Sequence, residues 1–152
     1  MRTKFISAIA AAAVALAAVP ANAAEPVGAE RQELARLPTD EPVRKGMLAI
    51  RDLVRLNHSL VTHRRMPPDH AARFAAAIKA QVDTILATSA ASGAARERLR
   101  ALTDAIVAGV DAVAGRNKAV SPIDGLVRID EALARYPAEF DHPGWAPLQS
   151  LE

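Results

Sequence analysis

The chain has 152 residues, of which 19 are Lys or Arg and 17 are Asp or Glu, and it contains no Cys. The lack of Cys excludes disulfides, thiolate metal sites and covalent attachment of haem through a C-x-x-C-H motif. The length suits one domain, which must be held together by its hydrophobic core alone.

The first 23 residues have the pattern of a cleaved secretory signal peptide. A basic start with Arg2 and Lys4 precedes an apolar, Ala-rich run at 5–19, and Ala-Asn-Ala at 21–23 matches the small-x-small cleavage pattern. The run is about 15 residues long, shorter than the roughly 20 needed to cross a bilayer. We therefore predict cleavage after Ala23 and a periplasmic or secreted protein with no membrane span in the mature chain.

Cleavage changes the charge balance. Arg2 and Lys4 leave with the signal peptide and no acidic residue does, so the mature chain keeps 17 basic residues against 17 acidic ones. This balance gives no electrostatic case for binding nucleic acid or an anionic membrane surface, although the sequence pI is about 9.4.

After the signal peptide, residues 24–38 have thin apolar content and predict a flexible N-terminal segment. Residues 39–152 then contain four amphipathic segments joined by short links, and no segment alternates as a strand should. This pattern predicts an all-α, up-down-up-down four-helix bundle with a C-terminal turn and tail.

The first helix should begin where Thr39 or Asp40 can cap the free backbone N–H groups and Pro42 fits a first turn. We expect it to end at Pro67-Pro68, because two prolines cannot continue a helix. One face carries the apolar residues Val43, Met47, Ile50, Val54 and Val61.

The second helix is predicted from Pro68 to about Thr88. The third is predicted to run to about Ala114, where Gly115 can end it in the left-handed conformation.

The fourth helix opens with the cap Ser121 and with Pro122 at the first helical position. Its seam consists of Leu126, Ile129, Leu133, Tyr136 and Phe140. Pro137 interrupts the seam, so the helix either kinks there or ends near Arg135, with a further turn carrying Phe140.

Signatures of known enzyme classes are missing: there is no G-x-S-x-G, Walker-type loop, H-E-x-x-H or G-x-G-x-x-G. Acidic residues such as Asp52, Asp104 and Asp130 are predicted to lie on solvated helix faces. We therefore predict a non-enzymatic protein.

Met47 and His142 are the first candidate ligands. Met47 lies on the inner face of the first helix, His142 follows the last inner aromatic residue of the fourth, and the topology puts both at one end of the bundle. Met and His are a known pair of axial ligands for haem iron. A haem b held between these helix ends is the resulting hypothesis.

Two resemblances bear on this end of the bundle. Gly46–Leu53 and Ile129–His142 resemble in topology the soluble periplasmic haem-b cytochromes, which implies haem b ligated by Met47 and His142 and a role in electron transfer. A closer resemblance is to uncharacterised exported proteins of Gram-negative bacteria. They share a Thr-Asp-x-Pro-x-Arg-x-Gly-Met start, matched at 39–47, and a Phe-x-His-Pro-Gly-Trp ending, matched at 140–145; this resemblance implies no activity.

A second candidate site flanks Pro67-Pro68. His63, Met66 and His70 are sensible copper ligands in an exported protein, and His63 and Met66 would share a helix face. The alternative is an exposed hairpin tip.

Tyr136, Phe140 and Trp145 form an aromatic-rich corner in a chain with 3% aromatic residues. The corner either caps the bundle or docks a partner. The sequence thus predicts a small exported module with a structural or partner-binding role, with a haem-b electron carrier as the alternative and copper binding as the third hypothesis.

Overall fold

The computed structural model describes residues 36–148, in which four helices form a bundle. They are α1 (Glu41–Thr62), α2 (Pro68–Thr88), α3 (Gly93–Val113) and α4 (Pro122–Glu139). Each helix packs on the next, and α4 packs back on α1. The predicted all-α four-helix bundle is confirmed. The predicted signal peptide, residues 24–35 and the last four residues lie outside the described part of the chain.

A two-stranded parallel ladder joins the two ends of the described chain. Strand β1 (Leu37–Pro38) pairs with β2 (Phe140–Asp141), with Leu37 opposite Phe140. Leu37 and Pro38 belong to the segment predicted to be flexible, and both are held in this ladder. The sequence pattern did not predict these strands, because a strand of two residues is too short to show alternation of apolar and polar residues.

Asp40 provides the cap of α1 that the sequence predicts. Its carboxylate accepts hydrogen bonds from the Val43 N–H (3.0 Å), the Ala90 N–H (2.6 Å) and the Ser89 hydroxyl (2.9 Å). Partial burial alone would raise the pKa of Asp40. The hydrogen bonds to its carboxylate have the larger combined effect and hold the pKa below its ordinary value. One side chain therefore caps α1 and anchors the α2–α3 loop.

The predicted end of the first helix at Pro67-Pro68 is wrong, because α1 ends at Thr62. Arg64 takes the left-handed conformation with φ 54°, its N–H bonds to the Val61 carbonyl, and the Arg65 N–H bonds to the Leu60 carbonyl. These are the two hydrogen bonds of a Schellman motif, which satisfies the last carbonyls of a helix. The prolines follow the stop and do not cause it.

Pro137 neither ends α4 near Arg135 nor moves Phe140 into a further helical turn. The helix continues to Glu139 and Phe140 is extended, with φ −124°. A proline without an N–H removes the bond to the carbonyl four residues earlier. Because α4 ends two residues after Pro137, that loss falls in the last turn, where partners are few in any helix.

Two glycines let α3 and α4 approach closely. A Cβ on Gly109 would lie 2.6 Å from the Gly125 carbonyl oxygen and 2.5 Å from the Ile129 side chain. A Cβ on Gly125 would lie 2.6 Å from the Gly109 carbonyl oxygen. These backbones touch directly, and no larger residue fits without moving one helix away from the other.

We predict that Gly109→Ala destabilises the protein by about 1–3 kcal/mol, because overpacking outweighs the gain of about 1 kcal/mol in helix propensity. Urea unfolding measures the change. The matched control is Ala108→Gly at the exposed neighbouring position, which should lose only about 1 kcal/mol. A more stable Gly109→Ala variant would show that the helices can separate freely.

Candidate functional site

Four rings meet where α1 begins and α4 ends, and we call this part of the bundle the closed end. Tyr136 stacks on Phe140 with ring centroids 5.3 Å apart and meets Trp145 edge-on at 4.7 Å. The His142 ring lies 5.3 Å from the Trp145 ring. Tyr136 has no exposed surface and Phe140 has 2%. The aromatic residues thus fill the end of the core.

One hydrogen bond orders this cluster: the Tyr136 hydroxyl lies 2.9 Å from His142 Nδ1. Burial raises the pKa of Tyr136, so the phenol keeps its proton. Burial, reinforced by the Arg44 and Arg51 cations, lowers the pKa of His142, so the imidazole is neutral near pH 7. The phenol therefore donates to Nδ1, and the ring proton of His142 lies on Nε2.

Arg51 holds the segment that follows the cluster. Its guanidinium lies 5.5 Å from the Trp145 ring centroid and donates to the Ala146 carbonyl at 3.0 Å. Nearby, the Thr39 hydroxyl donates to the Asp141 carbonyl. Residues 39–51 and 140–146 therefore contact one another, which places the two stretches of the closer resemblance side by side.

The residues of the predicted binding corner do come together, but their contacts are internal. Tyr136 and Phe140 are buried, and Trp145 is partly buried against the core. The Trp145 Nε1–H is buried and has no hydrogen-bond partner within residues 36–148. Of the two roles considered for the corner, these contacts correspond to capping the bundle.

The haem hypothesis stays a prediction. Met47 is fully buried in the core, and His142 Nδ1 is engaged by Tyr136, so only Nε2 of that ring could ligate a metal. Three of the clefts along residues 36–148 are lined by other residues than Met47 and His142.

The copper hypothesis also stays a prediction, with one correction. His63 and Met66 do not share a helix face, because α1 ends at Thr62. His63 Nδ1 lies 2.8 Å from the Ser59 carbonyl oxygen, whereas His70 Nε2 lies 2.6 Å from Asn57 Oδ1. Within residues 36–148, no group of three or more His, Cys, Asp or Glu is arranged to hold a metal ion.

Asp130 is less solvated than predicted, because only 34% of its side-chain surface is exposed. Its Oδ2 lies 3.1 Å from His58 Nε2 between α1 and α4, and its Oδ1 is buried without a hydrogen-bond partner in the described chain. Burial raises the pKa of Asp130, and the His58 contact only partly offsets this. The prediction failed because it considered one helix at a time and not its neighbour.

A cleft of about 410 Å³ lies at the opposite end, between the α1–α2 loop (63–67) and the α3–α4 loop (114–121). We call it the two-loop cleft. Its apolar lining consists of Leu60, Val61, Met66, Val113, Pro122 and Ile123. Arg64 and Ser121 supply its polar groups. The volume lies within the range of about 300–1,000 Å³ that is typical of small-molecule sites.

Sequence patterns missed this cleft because its wall is built from four chain segments. Arg64 gives no local signal in the sequence, although it occupies the left-handed position that ends α1. Glycine is the usual residue there. The end of α3 repeats the same two hydrogen bonds with Gly115 at φ 69°. The chain thus uses a Schellman motif twice, once with Gly and once with Arg.

Comparisons with protein-family models, curated proteins and solved structures found no match.

The two Schellman motifs predict opposite responses to substitution. Arg64→Gly should stabilise the protein by about 0.5–1 kcal/mol, because a residue with a Cβ is strained in the left-handed region. Gly115→Ala should destabilise it by about 1 kcal/mol for the same reason. Urea unfolding of both variants gives the comparison, and a loss of stability in Arg64→Gly would mean that the Arg side chain stabilises the fold more than its backbone strains it.

The low pKa of His142 predicts a pH dependence of stability. The unfolded chain binds this proton more readily than the folded chain, so the free energy of unfolding should fall as the pH drops below about 6.5 toward the lowered pKa. His142→Gln should remove this part of the slope between pH 7 and 5. The control is His63→Gln on an exposed histidine, and equal slopes in wild type and His142→Gln would contradict the assignment.

Proposed function

We propose that the protein is a small exported, non-enzymatic helical-bundle protein that acts as a binding module, and that the two-loop cleft is its binding surface. The cleft is the observation that carries the proposal. It combines apolar walls with a few polar groups, which is the usual composition of a ligand site.

The other end of the bundle supports this choice by contrast. There the core residues Tyr136 and Phe140 are covered by the chain itself and the ladder ties the backbone down. At the two-loop cleft, Leu60, Met66 and Ile123 keep part of their surface exposed. A ligand that covers this apolar surface removes it from water, which favours binding.

The cleft is also formed by residues whose positions are fixed by the core and by the helix ends. Val61 and Val113 on its wall belong to the core, with 3% and 6% of their surface exposed. The Schellman motif fixes the backbone at Arg64, and the Ser121 hydroxyl accepts from the Asp124 N–H at 3.1 Å to cap α4. A site on fixed helix ends loses little entropy when it binds.

Titration with Nile red, a neutral apolar dye, tests the site. The purified full chain should bind one equivalent saturably, and Ile123→Ser should weaken binding about tenfold, because removing part of an Ile contact is worth about 1.4 kcal/mol. Val127→Ser is the matched control, since Val127 is an exposed apolar residue (47%) on the same helix that does not line the cleft. Absence of saturable binding, or equal weakening by both variants, would refute the proposed surface.

A further inference from the structure

The two-loop cleft carries one unpaired cation. Arg64 is the charged residue of its lining, and within residues 36–148 its guanidinium makes no ion pair and no side-chain hydrogen bond. Its neighbour Arg65 and Lys118 of the α3–α4 loop are likewise without an ion pair in the described chain. This end of the bundle therefore presents positive charge that forms no ion pair with the carboxylates of residues 36–148.

Two of the acidic groups near this end are held in ion pairs. Asp69 pairs with Arg73 at 2.9 Å, and Asp111 pairs with Lys79 and Arg116, each at 2.9 Å. Asp124 accepts the Ser121 hydroxyl at 2.7 Å. Asp124 makes no ion pair in the described chain, so the unpaired cations Arg64, Arg65 and Lys118 outnumber this one unpaired carboxylate.

Arg64 also occupies a strained position. A non-glycine residue in the left-handed conformation costs about 1–2 kcal/mol, and the matching motif at the end of α3 avoids this cost with Gly115. Glycine at this position would remove the strain, so the presence of arginine suggests a role for its side chain. The side chain of Arg64 lines the cleft.

We propose that the two-loop cleft binds an anionic amphiphile, with the aliphatic chain against its apolar walls and the negative head group on Arg64. This inference rests on the proposed function of the cleft and adds the chemical class of the ligand. A guanidinium forms paired hydrogen bonds with a carboxylate or a phosphate, so both head groups share the required chemistry.

The size and charge of the site favour this class over the alternatives. A cleft of about 410 Å³ has the volume of a small-molecule site, for which about 300–1,000 Å³ is typical, so a small molecule is the better match. A cationic amphiphile would be repelled by Arg64. A neutral one would leave the guanidinium without a counter-ion when the chain covers it.

Isothermal titration with four ligands of equal chain length tests the head group. Decanoate, decyl phosphate and decylamine are each titrated into the full chain below their critical micelle concentrations, and decanol below its solubility limit. We expect decanoate or decyl phosphate, or both, to bind at one equivalent and at least tenfold more tightly than decanol, with decylamine weakest. The ratio between the two anions identifies the preferred head group.

Variants at the two arginines locate the head group. Arg64→Gln should reduce the affinity for the preferred anion to that for decanol, and Arg64→Lys should restore part of it. Arg65→Gln is the matched control, because Arg65 is adjacent in sequence but does not line the cleft, and it should change binding less than threefold. Circular dichroism confirms that each variant is folded.

The possible failures are distinguishable. If decanol binds as tightly as the anions, the inferred head group is wrong while the apolar cleft stands. If neither these ligands nor Nile red bind saturably, the cleft itself is refuted as a site. If Arg65→Gln weakens binding as much as Arg64→Gln, or if several equivalents bind, the inference is overturned in favour of general attraction to a basic surface.

Discussion

The hydrogen bond from the Tyr136 hydroxyl to His142 Nδ1 is the interaction on which the closed end of the bundle depends. It lets a phenol and an imidazole be buried together, because each satisfies the polar atom of the other. It also positions the turn after β2, so that Trp145 returns to Tyr136 and covers it. In a chain with 3% aromatic residues, this one pair organises most of the large rings.

The two ends of the bundle handle their helix termini differently. At the closed end, Asp40 binds the start of α1 and the α2–α3 loop, and the ladder joins the chain segments outside the helices. At the other end, α1 and α3 each stop within a Schellman motif and no strand crosses between the loops. The space left between the two loops is the cleft.

Local chemistry made much of this fold predictable. Helix starts were found because their caps act within a few residues, as Asp40 and Ser121 do. The end of α1 was missed because the left-handed residue is Arg64, where the expected glycine signal is lacking. Because aromatic residues are rare in this chain, the sequence pointed correctly to Tyr136, Phe140 and Trp145 as a cluster. Their inward direction depends on the hydrogen bond to His142 and on the contact with Arg51, which comes from a distant part of the chain that a local sequence pattern does not include.

The parallel ladder has a consequence for the order of folding. It pairs Leu37 with Phe140, and the Thr39 hydroxyl reaches across 102 positions to Asp141. Helices α1 to α3 can form and pack as the chain emerges from the ribosome, but their shared end stays uncovered until residue 145 has appeared. Contacts this distant in sequence form late and slow the final step.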